Sequence, residues 1–214
     1  MSPDERIVFV DIESIGLDPA GPVWQIAAIA VDAELRELES FESKLQVDWQ
    51  GVRRWRLDGR RRPPRPLPGA EADAAGCFAD FLHRHATVEL SANQCTVRRV
   101  AQLAAHNATH DGPFLQAFFQ RNRRFFPGSY RMLCTVQRAL WLFQEDKALT
   151  PPPDFKLITL CHYFGVPLRA ADAHDALHDV RATAALYRAM LSRPVRHRDS
   201  WRARVDERDA PQIL

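Results

Sequence analysis

The chain has 214 residues, 46% hydrophobic and 26% charged, with a formal net charge of +2, which suits one substantial core in a soluble globular protein. Its longest apolar run, VWQIAAIAV, carries Gln25 and is too short to cross a bilayer. Acids precede the first apolar run, so it reads as no secretory signal, and no membrane partner is expected.

Cys77, Cys95, Cys134 and Cys161 lie far apart with no CxxC pair, which argues against a zinc ribbon or a disulfide framework and fits a reducing cytoplasm. Charge is uneven along the chain. Residues 1–48 hold eleven acids and three bases, whereas residues 49–69 hold seven arginines and one aspartate. A basic block in an acidic half suggests a polyanionic partner.

RIVFVDIES, VWQIAAIAVD and RELESFESKLQVD read as three strands joined by short turns, an antiparallel meander. The segment 49–69 has no clean period, and its prolines and arginines mark it as an insertion loop. EADAAGCFADFLHRHA sets Phe78, Phe81 and Leu82 on one helical stripe. Residues 88–99 are ambiguous. VAQLAAHNA reads as a buried strand entering a polar loop, and DGPFLQAFFQRNRR as a helix with Pro113 in its first turn. MLCTVQRALWLFQ begins strand-like and continues helical. Asp154 is a plausible N-cap for FKLITLCHYFG, which Gly165 ends. Asp175 to about Met190 is the last strong helix, and residues 193–214 are a polar tail. No internal repeat is visible. Strands followed by strand–helix units give a mixed α/β domain over residues 1–192.

Acids sit at three telling places. Asp11 and Glu13, two apart at a strand end, share a face; alone, they read as exposed acids at a turn. Asp111 opens a helix after a strand, which is also what a plain N-cap does. In ADAHDALHDVRATAALY, His174 and Asp179 would lie about 140° apart on one helix. They converge if the helix starts near Asp175 and leaves His174 on the preceding loop. A zinc site from His174 and His178 lacks the HExxH glutamate and any nearby cysteine. His178 reads as a solvated helix residue, Asp172 as a loop acid and Asp175 as a helix cap.

In order along the chain, VDIESIG, AHNATHDGPFL and AHDALHDVRATAAL resemble the three motifs of the DEDDh 3′–5′ exonuclease superfamily, the group of DnaQ-like proofreading subunits, ribonuclease T and oligoribonuclease. The resemblance covers roughly residues 6–191, including QIAAIAV and LITLCHYFGVPL. It implies a ribonuclease H-like fold whose central mixed five-stranded sheet has three leading antiparallel strands and flanking helices. It implies two Mg²⁺ or Mn²⁺ ions held by Asp11, Glu13, Asp111 and Asp179, with His174 as general base. The family pattern groups Asp11, Glu13 and Asp179 at one ion and lets Asp11 and Asp111 serve the second. Four carboxylates suit a hard cation, and an imidazole titrates near neutrality.

The resemblance also gives the turn Ser14, Ile15, Gly16 and Leu17 to the terminal nucleotide. Ile15 stands where many relatives have threonine, so a sugar contact there is in doubt. His110 replaces a common aromatic, and His106 and Asn107 would orient the phosphate or the loop. The implied partner is nucleic acid with a free 3′ end. A homodimer and a polymerase or repair complex stay open, as does DNA against RNA. The Arg/Pro block is either a solvated loop or a strand-tracking arm in which Trp49 and Trp55 stack on bases. The rival function is a nucleic-acid-binding domain of the same fold without turnover.

Overall fold

The computed structural model describes residues 5–59, 63–67, 69–92, 96–168 and 175–191. Two apolar runs and an alternating segment at the start of the chain become β1 (Ile7–Ser14), β2 (Val23–Val31) and β3 (Glu37–Lys44), an antiparallel meander. β6 (Gln102–Ala105) pairs parallel with β1, and the two-residue β7 (Leu133–Cys134) pairs parallel with β6. The sheet order is β3-β2-β1-β6-β7, five strands of mixed direction. The ambiguous stretch forms a separate hairpin of β4 (Val88–Ala92) and β5 (Thr96–Val100).

The two faces of β1 choose different partners. Val8, Val10 and Ile12 enter a core with α2 (Ala72–Arg84) and α3 (Ala108–Arg121). Ile7 and Phe9 point the other way, toward Ala176, Val180 and Ala184 of α6 (Ala176–Leu191). Phe78, Phe81 and Leu82 form the buried stripe of α2 as their spacing predicts. A third cluster joins α4 (Thr135–Glu145) and α5 (Leu157–Tyr163) to the outer side of α6. Gly165, at φ +74°, follows the end of α5.

Three sequence expectations need correction. Residues Trp49–Asp58 are helical (α1), not loop. Asp48 caps the helix by accepting from the Gly51 amide at 2.9 Å, Gly59 ends it in the left-handed region, and its apolar contacts are tertiary. α3 begins at Ala108 with Asn107 as its N-cap residue, so Pro113 falls in the second turn and Asp111 is not a cap. Asp154 accepts from the Lys156 amide at 3.1 Å in a turn before α5, whose cap position is Lys156. Among the described residues, Cys77, Cys134 and Cys161 are free thiols, and no helix is long and apolar enough to cross a membrane.

Candidate active site

The pleat decides which acids meet. Asp11 and Glu13 continue the parity of Ile7 and Phe9, so they lie on the α6 face of β1. Asp175 accepts from the amides of Leu177 and His178 at 3.1 and 3.3 Å, which starts α6 at Ala176. That start places Asp179 in the first turn, between the packed residues Ala176 and Val180, facing the end of β1. Oxygens of Asp11, Glu13 and Asp179 then lie within 4.8 Å of one another. A register shift between Glu13 and Ser14 helps aim the strand end.

Asp111 comes from the opposite layer. It is 2% exposed, in the first turn of α3, and the backbone amide of Ile12 donates to its carboxyl. Burial pushes its pKa up to about 8, helped by the charge of Glu13 and opposed by the amides of Asp111 and Ile12. Asp11 is also held well above the usual carboxylate range, by burial first and then by Asp111, Glu13 and Asp179. Carboxyls crowded to this degree resist ionisation unless a cation joins them.

The donor set fits a hard divalent ion. All four candidates are carboxylates, and oxygens bound to one Mg²⁺ at about 2.1 Å span up to about 4.2 Å, so a small closure of the triad suffices. Cys161 lies near Asp179, but burial and that charge push its thiol up to about 12, which withholds the thiolate that zinc prefers. His178 is exposed and lies 3.8 Å from Asp175. His174 and Asp172 fall outside the described residues.

The turn after Glu13 is built for close approach. Gly16 has φ +79°, and a Cβ there would sit 3.2 Å from Trp55 Cη2, so α1 packs its indole directly on the turn. Leu17 is 86% exposed beside it. Ser14 Oγ donates to the Gly16 carbonyl at 3.3 Å. Ile15 is 2% exposed and its amide bonds Pro22; its side chain belongs to the interior and offers a nucleotide no surface. Trp24 and Trp49 meet edge to face at 6.1 Å, which fixes the start of α1. Arg60, Arg61 and Arg62 of the expected arm lie outside the described residues.

His106 holds the loop. Its Nε2–H donates to the Phe155 carbonyl at 3.0 Å, leaving Nδ1 to accept from Thr135 Oγ1 at 2.8 Å. Burial lowers its pKa, so the ring stays neutral. Asn107 takes φ +64°, a region asparagine tolerates, and its Oδ1 accepts from Thr109 Oγ1. His110 packs tilted against Phe114 with ring centroids 4.7 Å apart, and its pKa is likewise lowered by burial. Sequence reasoning assigned Trp55 to the arm and missed its packing on the turn, because its partner Gly16 is 39 residues away.

A cavity of about 540 Å³ lies elsewhere, between Arg65–Leu67 and the end of α3. Its wall includes Glu71, 4% exposed, whose carboxylate takes Arg121 at 2.5 and 2.7 Å and Asn122 at 3.2 Å. Arg121 also reaches the Pro19 carbonyl. This pair ties α2, α3 and the turn after β1 together.

No protein-family model and no curated protein matches the chain. Solved structures do. Exonuclease I from E. coli, in complex with a dT13 oligonucleotide, superposes with a TM-score of 0.59 at 21% identity over 88% of this chain. The moderately thermophilic exonuclease I from Methylocaldum szegediense gives 0.60 at 20% identity, again over 88%. The fold is that of exonuclease I. This chain spans 41% of the length of each of those proteins. The exonuclease I fold accounts for the five-stranded mixed sheet and for helices on both of its faces.

Proposed function

We propose that this protein is a metal-dependent 3′–5′ exonuclease that hydrolyses the terminal phosphodiester of a nucleic acid and releases nucleoside 5′-monophosphates. One observation carries the reading: Asp11, Glu13 and Asp179, from a strand end and a distant helix, bring oxygens within 4.8 Å of one another. Asp111 is buried beside them, and the shared fold of exonuclease I adds support.

Asp11, Glu13 and Asp179 would hold one Mg²⁺ or Mn²⁺ ion, with Asp11 and Asp111 serving a second. Such a pair, when bound, supplies Lewis acidity at the attacking and leaving oxygens of the phosphodiester. His174, five residues before Asp179 and directly before the α6 cap, would accept a proton from the attacking water on an imidazole nitrogen. Gly16 lets Trp55 pack against its turn and brace it beside the terminal nucleotide. Leu17 offers an exposed apolar edge for its base, and Ser14, Asn107 and His110 border the same end of the sheet. Asp11 cannot approach an anionic phosphate while ionised and uncompensated, so activity requires the cation. Because the E. coli relative is described with single-stranded DNA, oligo(dT) is the first substrate to try.

The test is a panel of 3′-labelled single-stranded DNA, overhang duplex and short RNA, each with a free or blocked 3′ end, in Mg²⁺, Mn²⁺ or EDTA. Mononucleotide release from free 3′ ends is expected, with none in EDTA and a loss of at least about 10³-fold in D11N and D179N. H174A should fall by about 10²–10⁴-fold. Binding without turnover in either metal would instead make the protein a silent nucleic-acid-binding domain.

A further inference from the structure

The loop between α3 and β7 carries charged and aromatic side chains that the site above does not use. Among the described residues, Arg98, Arg123, Phe125, Tyr130 and Arg131 are all exposed. The backbone places them in a line. Ala101 bridges Gly128 in parallel register, with the Ala101 amide donating to Pro127 at 2.9 Å and the Ser129 amide to Ala101 at 2.8 Å. Three residues back on each side, Arg98 faces Phe125, its guanidinium 4.7 Å from the ring centroid. Further along, Gln102 Nε2 donates to the Arg131 carbonyl at 2.8 Å, and the Arg131 guanidinium lies 5.4 Å from the Tyr130 ring. Next in line, Met132 Sδ sits 3.2 Å from where a Cβ on Gly112 would be, beside Asp111.

By the register of β1, β6 and β7, Arg131 lies about four residues, or about 13 Å, along the strands from the level of Asp11, and the row runs on from there to the β4–β5 hairpin. From Tyr130 to Phe125 the chain covers up to about 17 Å. None of Arg98, Arg123 and Arg131 pairs with a carboxylate among the described residues, whereas the neighbouring Arg99 is taken by Glu89 at 3.1 Å. Phe125 and Tyr130 are 50% and 63% exposed. Arg123 also holds φ +52° where α3 ends, a place that favours glycine. An arginine kept in a strained position, with no carboxylate partner among the described residues, points to work done by the side chain.

We infer that this row is a track for single-stranded nucleic acid, holding the strand that leads away from the acid site. The inference rests on the nuclease reading for the direction of that strand. Free guanidinium groups suit phosphates, and exposed rings with a cation over them suit unstacked bases of any sequence. The two arginine–ring pairs, Arg131 with Tyr130 and Arg98 with Phe125, each match one phosphate and one base of a strand.

The experiment measures affinity of the full chain for dT20 and dT3 in EDTA across a salt series. It compares wild type with F125A/Y130A, R98S/R131S and R123G, with a poly-glutamate peptide as competitor. Affinity for dT20 should fall at least tenfold in both double variants and about threefold in R123G, while dT3 changes less than twofold. The salt slope of R98S/R131S should drop by about 1.4, at about 0.7 for each phosphate contact on a single strand. R123G should raise the melting temperature while it weakens binding, a combination that a purely structural arginine does not give. Wild-type affinities and slopes in folded variants overturn the track, as does poly-glutamate competing as well as dT20. A wild-type chain that binds dT20 through these residues but never cleaves leaves the track standing and sinks the nuclease reading. Cleavage with no effect of the variants does the reverse.

Discussion

Asp111 shows how one side chain can work against the fold that holds it. An aspartate titrates near 4 in an unfolded chain and here at about 8 in the folded one. Between those values the metal-free fold binds an extra proton. The stability that proton brings is fully present below pH 4 and is lost as the pH rises through 8. Asp11 is raised in the same direction. Asn at position 111 keeps an acceptor for the Ile12 amide and discards the charge. D111N should therefore melt higher than wild type in EDTA at pH 8, by on the order of a few kcal/mol of stability, and nearly match it at pH 4; nuclease activity should be lost. Thermal melts at the two pH values check the sign, and a D111N protein less stable at pH 8 would contradict it. Gly16→Ala tests the adjacent turn. The positive φ and the 3.2 Å approach of Trp55 should cost about 1 kcal/mol or more, read as a lowered urea midpoint together with weaker binding of the terminal nucleotide.

Among the elements, α1 is the one that local pattern conceals. Its many arginines and the proline-rich stretch that follows mask the three-residue recurrence of Trp49, Val52 and Trp55, so residues 49–58 read as loop. Asp48 supplies the start, Gly59 the end, and Trp24 and Gly16 the surfaces against which Trp49 and Trp55 settle. D48A should destabilise the fold by about 1 kcal/mol, and hydrogen exchange should rise first in α1. The Glu71–Arg121 pair is the corresponding tie between α2 and α3. Removing Glu71 leaves the partly buried Arg121 facing the cavity with the Pro19 carbonyl as its remaining acceptor, so E71A should cost about 1–3 kcal/mol, and urea unfolding measures it. The three meander strands, β6 and α6 were legible for the opposite reason. β1 and β2 are continuous apolar runs, β3 alternates, α6 repeats near 3.6, and Asp175 marks the start of α6 as its type and position suggest.

Across the whole molecule the acid cluster is a junction between layers. Asp11 and Glu13 belong to the sheet, Asp179 to the helical layer on one face and Asp111 to the layer on the other. A cation that binds only when all are in place stabilises the entire fold, by about 2.7 kcal/mol at a hundredfold excess over Kd. Mg²⁺ or Mn²⁺ should thus raise the melting temperature of the wild-type chain by several degrees, more at pH 8 than at pH 5, and leave D11N nearly unmoved. Equal shifts in both proteins would mean that the ion binds elsewhere.

The order of acids along the chain and the parity of β1 were in the sequence, because residues two apart on a strand must share a face. So was the meander, since each of its strands carries its own apolar pattern. The convergence itself was decided by tertiary structure. Whether α6 would lay its first turn against the end of β1, and whether α3 would send Asp111 across from the other layer, depends on cores assembled from residues far apart in sequence. The same holds for Ile15 turning inward, for Trp55 closing on Gly16, and for the line from Met132 to Arg98. Each is a contact between segments that carry no local record of one another, and only packing brings them together.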